Sequence, residues 1–265
     1  MVQTIGIIGF GYMGEALIKG VKASHPSVRV AVSDKRSDRV SVATEEYGAT
    51  DYTGSEQALC GESDILIIAV KPQDKESLVQ SLGTAARGAR IISVLAGTKM
   101  EFFQERIPEI QIARFMPSLA AQVGKAAVGV AFSENVDEQF RNTSVEIAEA
   151  IGSAQVVPER LMSAVTGLSG SGLAFVFAFV HALALGATKS GLSYDQAQSV
   201  ALDVLDGAQT VLRETGEHPL SMLSKVASPG GTTIEGIQAL EDGGLTSVVM
   251  DAVTKAAARA SELEG

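Results

Sequence analysis

Thr4-Ile5-Gly6-Ile7-Ile8-Gly9-Phe10-Gly11-Tyr12-Met13-Gly14 is a short apolar run that passes at once into a glycine-rich turn. A helical pattern of apolar residues follows, with Ala16, Leu17 and Val21 in phase. The run predicts a strand, and G-x-G-x-x-G between a strand and a helix is the fingerprint of a dinucleotide site. Gly9 makes the tight turn, Gly11 lets backbone approach a pyrophosphate, and Gly14 lets helix pack on strand. Phe10, Tyr12 and Met13 fill the same turn, so residues 9–14 are read together as cofactor-binding. Asp34 lies 20 residues beyond Gly14, at the end of the apolar stretch 28–32. An acidic side chain there can hold the ribose of NAD. Ser33, Lys35 and Arg36 could instead receive the 2′-phosphate of NADP, and a plain polar turn is the bland alternative.

Working outward, apolar strand patterns recur at 65–70, 91–94, 112–115 and 127–132, mostly separated by helical stretches. Such alternation implies a parallel sheet with right-handed crossovers. A last short strand is expected at 155–157. Beyond Pro158 only helices are marked. Ser193-Tyr194-Asp195-Gln196 reads as a capping box, Gly191 as a helix stop, and Gly216 with Pro219 as a further break. The expected class is α/β: a parallel-sheet domain over 1–157, then an all-α domain over 158–265.

In a sheet of this kind ligands sit at the carboxyl ends of the strands. Ala69-Val70-Lys71-Pro72 and Ala96-Gly97-Thr98 end two strands and are placed to face a bound cofactor. In the helical half, Ser228-Pro229-Gly230-Gly231-Thr232-Thr233 stops one helix and opens the next. Bare backbone N–H groups and two hydroxyls there suit an anion; the alternative is an ordinary corner capped by Ser228.

The chain has 265 residues, 21 Lys+Arg against 31 Asp+Glu, and a formal net charge of −10, a poor balance for nucleic acid or an anionic membrane. One cysteine, Cys60, fits a reducing cytoplasm and is read as structural in a polar turn. Three scattered histidines argue against a metal site. The apolar run 173–187 is short for a bilayer span and carries small residues suited to close packing. It is expected to form a helical core or a subunit interface, with His181 as a packed or hydrogen-bonded histidine rather than a catalyst.

With these motifs in hand, the whole chain resembles pyrroline-5-carboxylate reductase, the last enzyme of proline biosynthesis. The resemblance rests on residues 9–14, Ala69-Val70-Lys71-Pro72, Ala164-Val165-Thr166-Gly167-Leu168-Ser169-Gly170-Ser171-Gly172, Thr215-Gly216-Glu217-His218-Pro219, Ser228 to Thr233, and Leu240-Glu241-Asp242-Gly243-Gly244. It implies an N-terminal Rossmann-type domain and a helical dimerisation domain, with a homodimer and sometimes a ring of dimers. It implies that Thr233 hydrogen-bonds the substrate ring nitrogen and that Gly230, Gly231 and Thr232 bind the carboxylate. Glu159 and Ser171 fall near the substrate loop, and 69–72 with Ala96 and Gly97 line the nicotinamide ribose. NADPH is the expected cofactor, with NADH also possible, in a cytoplasmic enzyme with a small-molecule substrate. Three positions depart from the family pattern: Ser118-Leu119-Ala120 stands for Asn-Thr-Pro, Leu173-Ala174-Phe175 for Pro-Ala-Tyr, and Glu56 for an Asn near the adenosine.

Other readings stay open at this stage. The chain could reduce a different cyclic imine. A β-hydroxyacid dehydrogenase of similar layout would need a catalytic lysine early in the helical half, where 158–190 holds only Lys189. A dinucleotide-sensing protein would keep residues 9–14 but has no need of Ser228 to Thr233.

Overall fold

The computed structural model describes residues 2–264. The chain runs β1 (Thr4–Ile8), α1 (Tyr12–Ser24), β2 (Arg29–Ser33), α2 (Ser37–Tyr47), β3 (Thr50–Asp51), α3 (Glu56–Glu62), β4 (Ile65–Ile68) and α4 (Lys75–Leu82). It continues through β5 (Arg90–Ser93), α5 (Met100–Gln104), β6 (Gln111–Met116), β7 (Ala126–Phe132), α6 (Glu138–Glu149), β8 (Gly152–Val156) and α7 (Met162–Val165). Helices follow: α8 (Gly172–Lys189), α9 (Tyr194–Thr215), α10 (Pro219–Val226), α11 (Thr232–Asp242) and α12 (Leu245–Leu263). The residues form two compact units, one up to Ser171 together with Lys255 onward, the other Gly172–Thr254.

The first unit is built on one eight-stranded sheet of order β3-β2-β1-β4-β5-β6-β7-β8. Its strands are short apolar runs because helices cover both faces. Side chains alternate between those faces. Ile5, Ile7, Val30, Val32, Ile65 and Ile67 pack with Leu17, Ile18, Phe140 and Ile147 in one core. Ile8, Ala31, Leu66, Ile68, Ile91 and Ile112 pack with Leu59, Leu78, Leu82 and Phe103 in the other. Asp137 starts α6 by accepting from the Phe140 amide at 2.8 Å, and that bond holds its carboxyl below the usual carboxylate range.

The all-parallel expectation fails at the last two strands. β1 to β6 are parallel, but β7 is antiparallel to β6, and β8 pairs parallel to β7. The reason is connection length. Only the stretch 117–125, largely a 3-10 turn, joins β6 to β7. That is too short for a covering crossover helix, whereas α6 supplies one between β7 and β8. The two-residue β3 was not foreseen. Cys60 is buried inside α3 rather than in a polar turn, and burial pushes its thiol up.

In the second unit, α8 and α9 lie against each other, and the residues buried on them are Val180 and Ala184 on α8 and Ala197 and Ala201 on α9. The capping box at Ser193 and Gln196 forms as expected, Gly191 has φ +110°, and Gly216 caps α9 in the left-handed region. Pro219 is the first residue of α10.

Candidate active site

β1 lies between β2 and β4, so the chain leaves the centre of the sheet in both directions from it. Ligands bind at such a switch point, beyond the carboxyl ends of the strands. The glycines of 9–14 divide into two kinds there. Gly9 has φ +93°, and a Cβ on it would lie 2.6 Å from the Ala69 carbonyl. A Cβ on Gly14 would lie 2.3 Å from the Gly9 oxygen. Both are required by the fold. Gly11 is different: a Cβ there would meet nothing nearer than the Arg36 guanidinium at 3.9 Å. The protein leaves this space open in front of the α1 N-terminus, where Gly11 is the N-cap and no side chain caps the helix. Open space beside uncapped amides fits the pyrophosphate of a dinucleotide.

Asp34 is built into this loop. Its Oδ2 accepts from the Phe10 amide at 2.6 Å and its Oδ1 from the Arg36 amide at 2.9 Å, which ties the end of β2 to the glycine turn. A carboxylate has lone pairs to spare for a ribose hydroxyl. Arg36 lies 3.5 Å from Asp34 with its side chain half exposed, and Lys35 reaches Asp74 at 3.0 Å. Ser33 donates to Glu56 at 2.9 Å. One contributor was not foreseen: Arg39 donates to the Phe10 carbonyl at 2.7 Å and pairs with Glu15. Glu56, placed near the adenosine by the resemblance, joins the end of β2 to α3. The Arg39 bonds link residues far apart in sequence, and no local pattern announces them.

Residues 69–72 meet the glycine turn through the Gly9–Ala69 contact. The loop after β5 is their neighbour, because the Val94 amide donates to Ile68 at 3.0 Å. Residues 9–14, 33–36, 69–72 and 96–97 therefore share one edge of the sheet. Glu159 has its carboxylate engaged by Arg114 at 3.1 Å and by the Met100 amide at 2.7 Å. Ser171 follows a single π-helical stretch, Thr166–Gly170, that carries the first two residues of the Ser-Gly-Ser-Gly motif. Such turns recur at functional sites. The motif directly precedes the apolar helix α8, and its first half widens a helical run begun at α7.

In the second unit, Ser228 to Gly231 form a β-turn closed by the Gly231 amide on the Ser228 carbonyl at 3.1 Å. Pro229 at its second position and Gly230 at φ +66° follow the type II pattern. The cap of α11 is Gly231, not Ser228, and no side chain caps that helix. Thr232 and Thr233 are its first two residues. The local geometry leaves amides and two hydroxyls at one helix start, the arrangement that suits a carboxylate.

Within a single chain α8 buries only Val180 and Ala184. Phe177 and Leu185 on it are 58% and 50% exposed, and Val200, Leu202, Leu220, Val248 and Met250 elsewhere in the unit are each more than half exposed. His181 is exposed in the chain rather than in its core, with Nδ1 2.8 Å from the Tyr194 hydroxyl. The helical run 159–189 is long and apolar enough to cross a membrane by length and composition alone. A surface this apolar requires a covering partner.

A doubly covered sheet with an open glycine cradle defines the first unit as the dinucleotide half of a nicotinamide oxidoreductase. Comparison with known proteins makes this specific. Residues 159–263 match the family model for pyrroline-5-carboxylate reductase dimerisation, and residues 4–97 match one for an NADP oxidoreductase, coenzyme F420-dependent. A pyrroline-5-carboxylate reductase of Methanosarcina acetivorans is 38% identical over 98% of both chains. A solved pyrroline-5-carboxylate reductase structure from Coxiella burnetii superposes with a TM-score of 0.92 at 27% identity, over 98% of both chains. One from Plasmodium falciparum with NADP bound has a TM-score of 0.85 at 22% identity, covering 99% of this chain and 98% of that one. The chain belongs to the pyrroline-5-carboxylate reductase family.

Proposed function

We propose that this chain is an enzyme that reduces 1-pyrroline-5-carboxylate to L-proline with NAD(P)H, the last step of proline biosynthesis. The observation that carries the reading is the joint presence of the open Gly11 cradle and the Pro-Gly-Gly-Thr-Thr helix start in a member of this family. Residues 9–14, 33–36, 69–72, Ala96 and Gly97 would hold the cofactor. It supplies the hydride. The protein has to bind and orient the imine. A cyclic imine is basic enough to arrive protonated, so a strong enzymic acid is not needed. Backbone amides at Gly230, Gly231 and Thr232 fix the carboxylate, and the Thr233 hydroxyl fixes the ring nitrogen. Fixing both ends presents one face of the carbon–nitrogen bond, and orientation of this kind supplies several orders of magnitude in rate.

Thr233→Ala should lower kcat/KM for the imine about 10-fold to 100-fold, the loss of an orienting hydrogen bond. Affinity for the cofactor should stay as in wild type. Unchanged kinetics in the variant would remove Thr233 from the site.

NADPH is the favoured cofactor in this reading, with NADH also accepted, because the Arg36 guanidinium overhangs the Gly11 cradle and is exposed enough to turn toward a phosphate. Asp34→Ser should raise the NADPH-to-NADH ratio of kcat/KM by about tenfold. It takes a negative charge from beside the 2′-position and frees Arg36 from its partner. Equal effects on both cofactors, or none, would place the adenosine ribose elsewhere.

The chain self-associates through its dimerisation region. A homodimer, in some states a ring of dimers, covers the apolar face of α8, which for this reason does not enter a membrane. We divide the chain functionally at 157/158, with cytoplasmic placement, a small-molecule substrate and no nucleic-acid partner. Oxidation of NADPH and NADH measured against five- and six-membered cyclic imines tests the substrate class. Preference for a six-membered ring would replace pyrroline-5-carboxylate with another imine.

A further inference from the structure

Arg114 is the most buried charge among the described residues of the first unit, its side chain 3% exposed on the interior strand β6. It is held between two carboxylates from distant parts of the chain. Glu159 follows β8 and lies 3.1 Å from it. Glu264 follows the last turn of α12, pairs with the guanidinium directly, and is itself only 8% exposed in its side chain. Ser163 donates a long bond to the same Glu264 at 3.4 Å. A buried ion triad is costly in desolvation and is weak evidence for stability, so its presence asks for another reason.

What the triad holds is the loop after β5. Glu159 accepts the Met100 amide at 2.7 Å and so fixes the far end of that loop. Its middle is fixed from the other side. Gly97 has φ +65°, and a Cβ there would lie 2.9 Å from the carbonyl oxygen of Leu263, the residue before Glu264. Between these points Thr98 is buried, while Ala96, just before Gly97, stays exposed at the cofactor edge of the sheet. Glu264 anchors the strand of backbone that presses on Gly97, and Glu159 anchors Met100. One guanidinium connects the two anchors.

We propose that Arg114, Glu159 and Glu264 are positioning residues that set residues 94–100 for hydride transfer, so that the end of α12 takes part in turnover without touching substrate. The assignment rests on the reductase reading for its kinetic part. Its structural part does not.

The test uses the full chain carrying Glu264→Ala. Arg114 keeps Glu159 in this variant, so no charge is stranded. The expected result is a fall in kcat of about tenfold or more, as for a small misplacement of reacting groups. The dissociation constant for NADPH alone and the KM for the imine should stay within about twofold. Amide exchange of residues 94–100 should rise about tenfold while the strands keep their protection. A primary isotope effect from cofactor deuterated at the transferred hydrogen should increase. Glu264→Gln, whose amide oxygen still accepts from Arg114 and Ser163, should recover part of kcat. Should Glu264→Ala fail to fold, Arg114→Lys carries the same test, because a point charge reaches one carboxylate and releases the other. Wild-type kcat with unchanged exchange at 94–100 in either folded variant would overturn the proposal. If wild type itself does not turn over pyrroline-5-carboxylate, the reductase reading fails, and exchange at 94–100 still decides the clamp.

Discussion

Gly11→Val is expected to abolish measurable binding of both NADH and NADPH in a protein that remains folded. The two halves of this expectation come from the same geometry. A Cβ at Gly11 meets no backbone, and the backbone there is an ordinary extended N-cap with φ −77°, so the branched side chain is not forced against the protein. The valine instead fills the open space before the first amides of α1. A pyrophosphate needs those amides at hydrogen-bond distance, and two methyl groups exclude it. The neighbouring glycines give the contrast. At Gly9 or Gly14 even alanine collides with backbone, so loss of binding there would be inseparable from damage to the β1–α1 turn. Fluorescence titration of each nucleotide, with a melting curve of the same sample, checks the result. Retained affinity in a folded Gly11→Val protein would mean that the glycine turn serves packing alone.

Ala178→Glu is expected to destroy the dimer and activity with it. Ala178 lies in the middle of α8 and is exposed in the single chain, on a helix whose Val176, Phe177 and Phe179 are each more than a third exposed. The proposed interface covers this face, and an obligate interface of this kind is large and apolar. An unpaired carboxylate placed there costs several kcal/mol in each protomer. The expected outcome is monomer, aggregate or insoluble protein, with little turnover. Sedimentation at low concentration distinguishes these states. A fully active, well-folded monomer would contradict the assignment of α8 to the subunit interface.

The sequence carried the half of the fold that local chemistry controls. Residues 4–14 announce strand, turn and helix because an apolar run, a glycine-rich turn and a helical apolar period follow one another within a few residues. The capping box at Ser193 and the stops at Gly191 and Gly216 were legible for the same reason. The direction of β7 was not read, although the short stretch 117–125 held the signal: it has no room for a crossover. A Ser228 cap was the alternative at this corner because serine commonly caps helices; the turn hydrogen bond to its carbonyl instead passes the cap to Gly231. Asp34 was legible as an acid at a strand end, but not its bond to the Phe10 amide, which depends on how β1 and β2 align. The Arg114–Glu264 pair was out of reach altogether, since it joins residues 150 apart. In the helical unit the apolar surface of α8 was visible, and its lack of cover within one chain required coordinates.

The most direct measurement is a single assay of the purified protein: oxidation of NADPH and of NADH with and without 1-pyrroline-5-carboxylate, with L-proline quantified in the same reaction. The account predicts oxidation that depends on the imine and forms one L-proline per cofactor consumed. Cofactor binding without imine-dependent oxidation, or oxidation without proline, would contradict it.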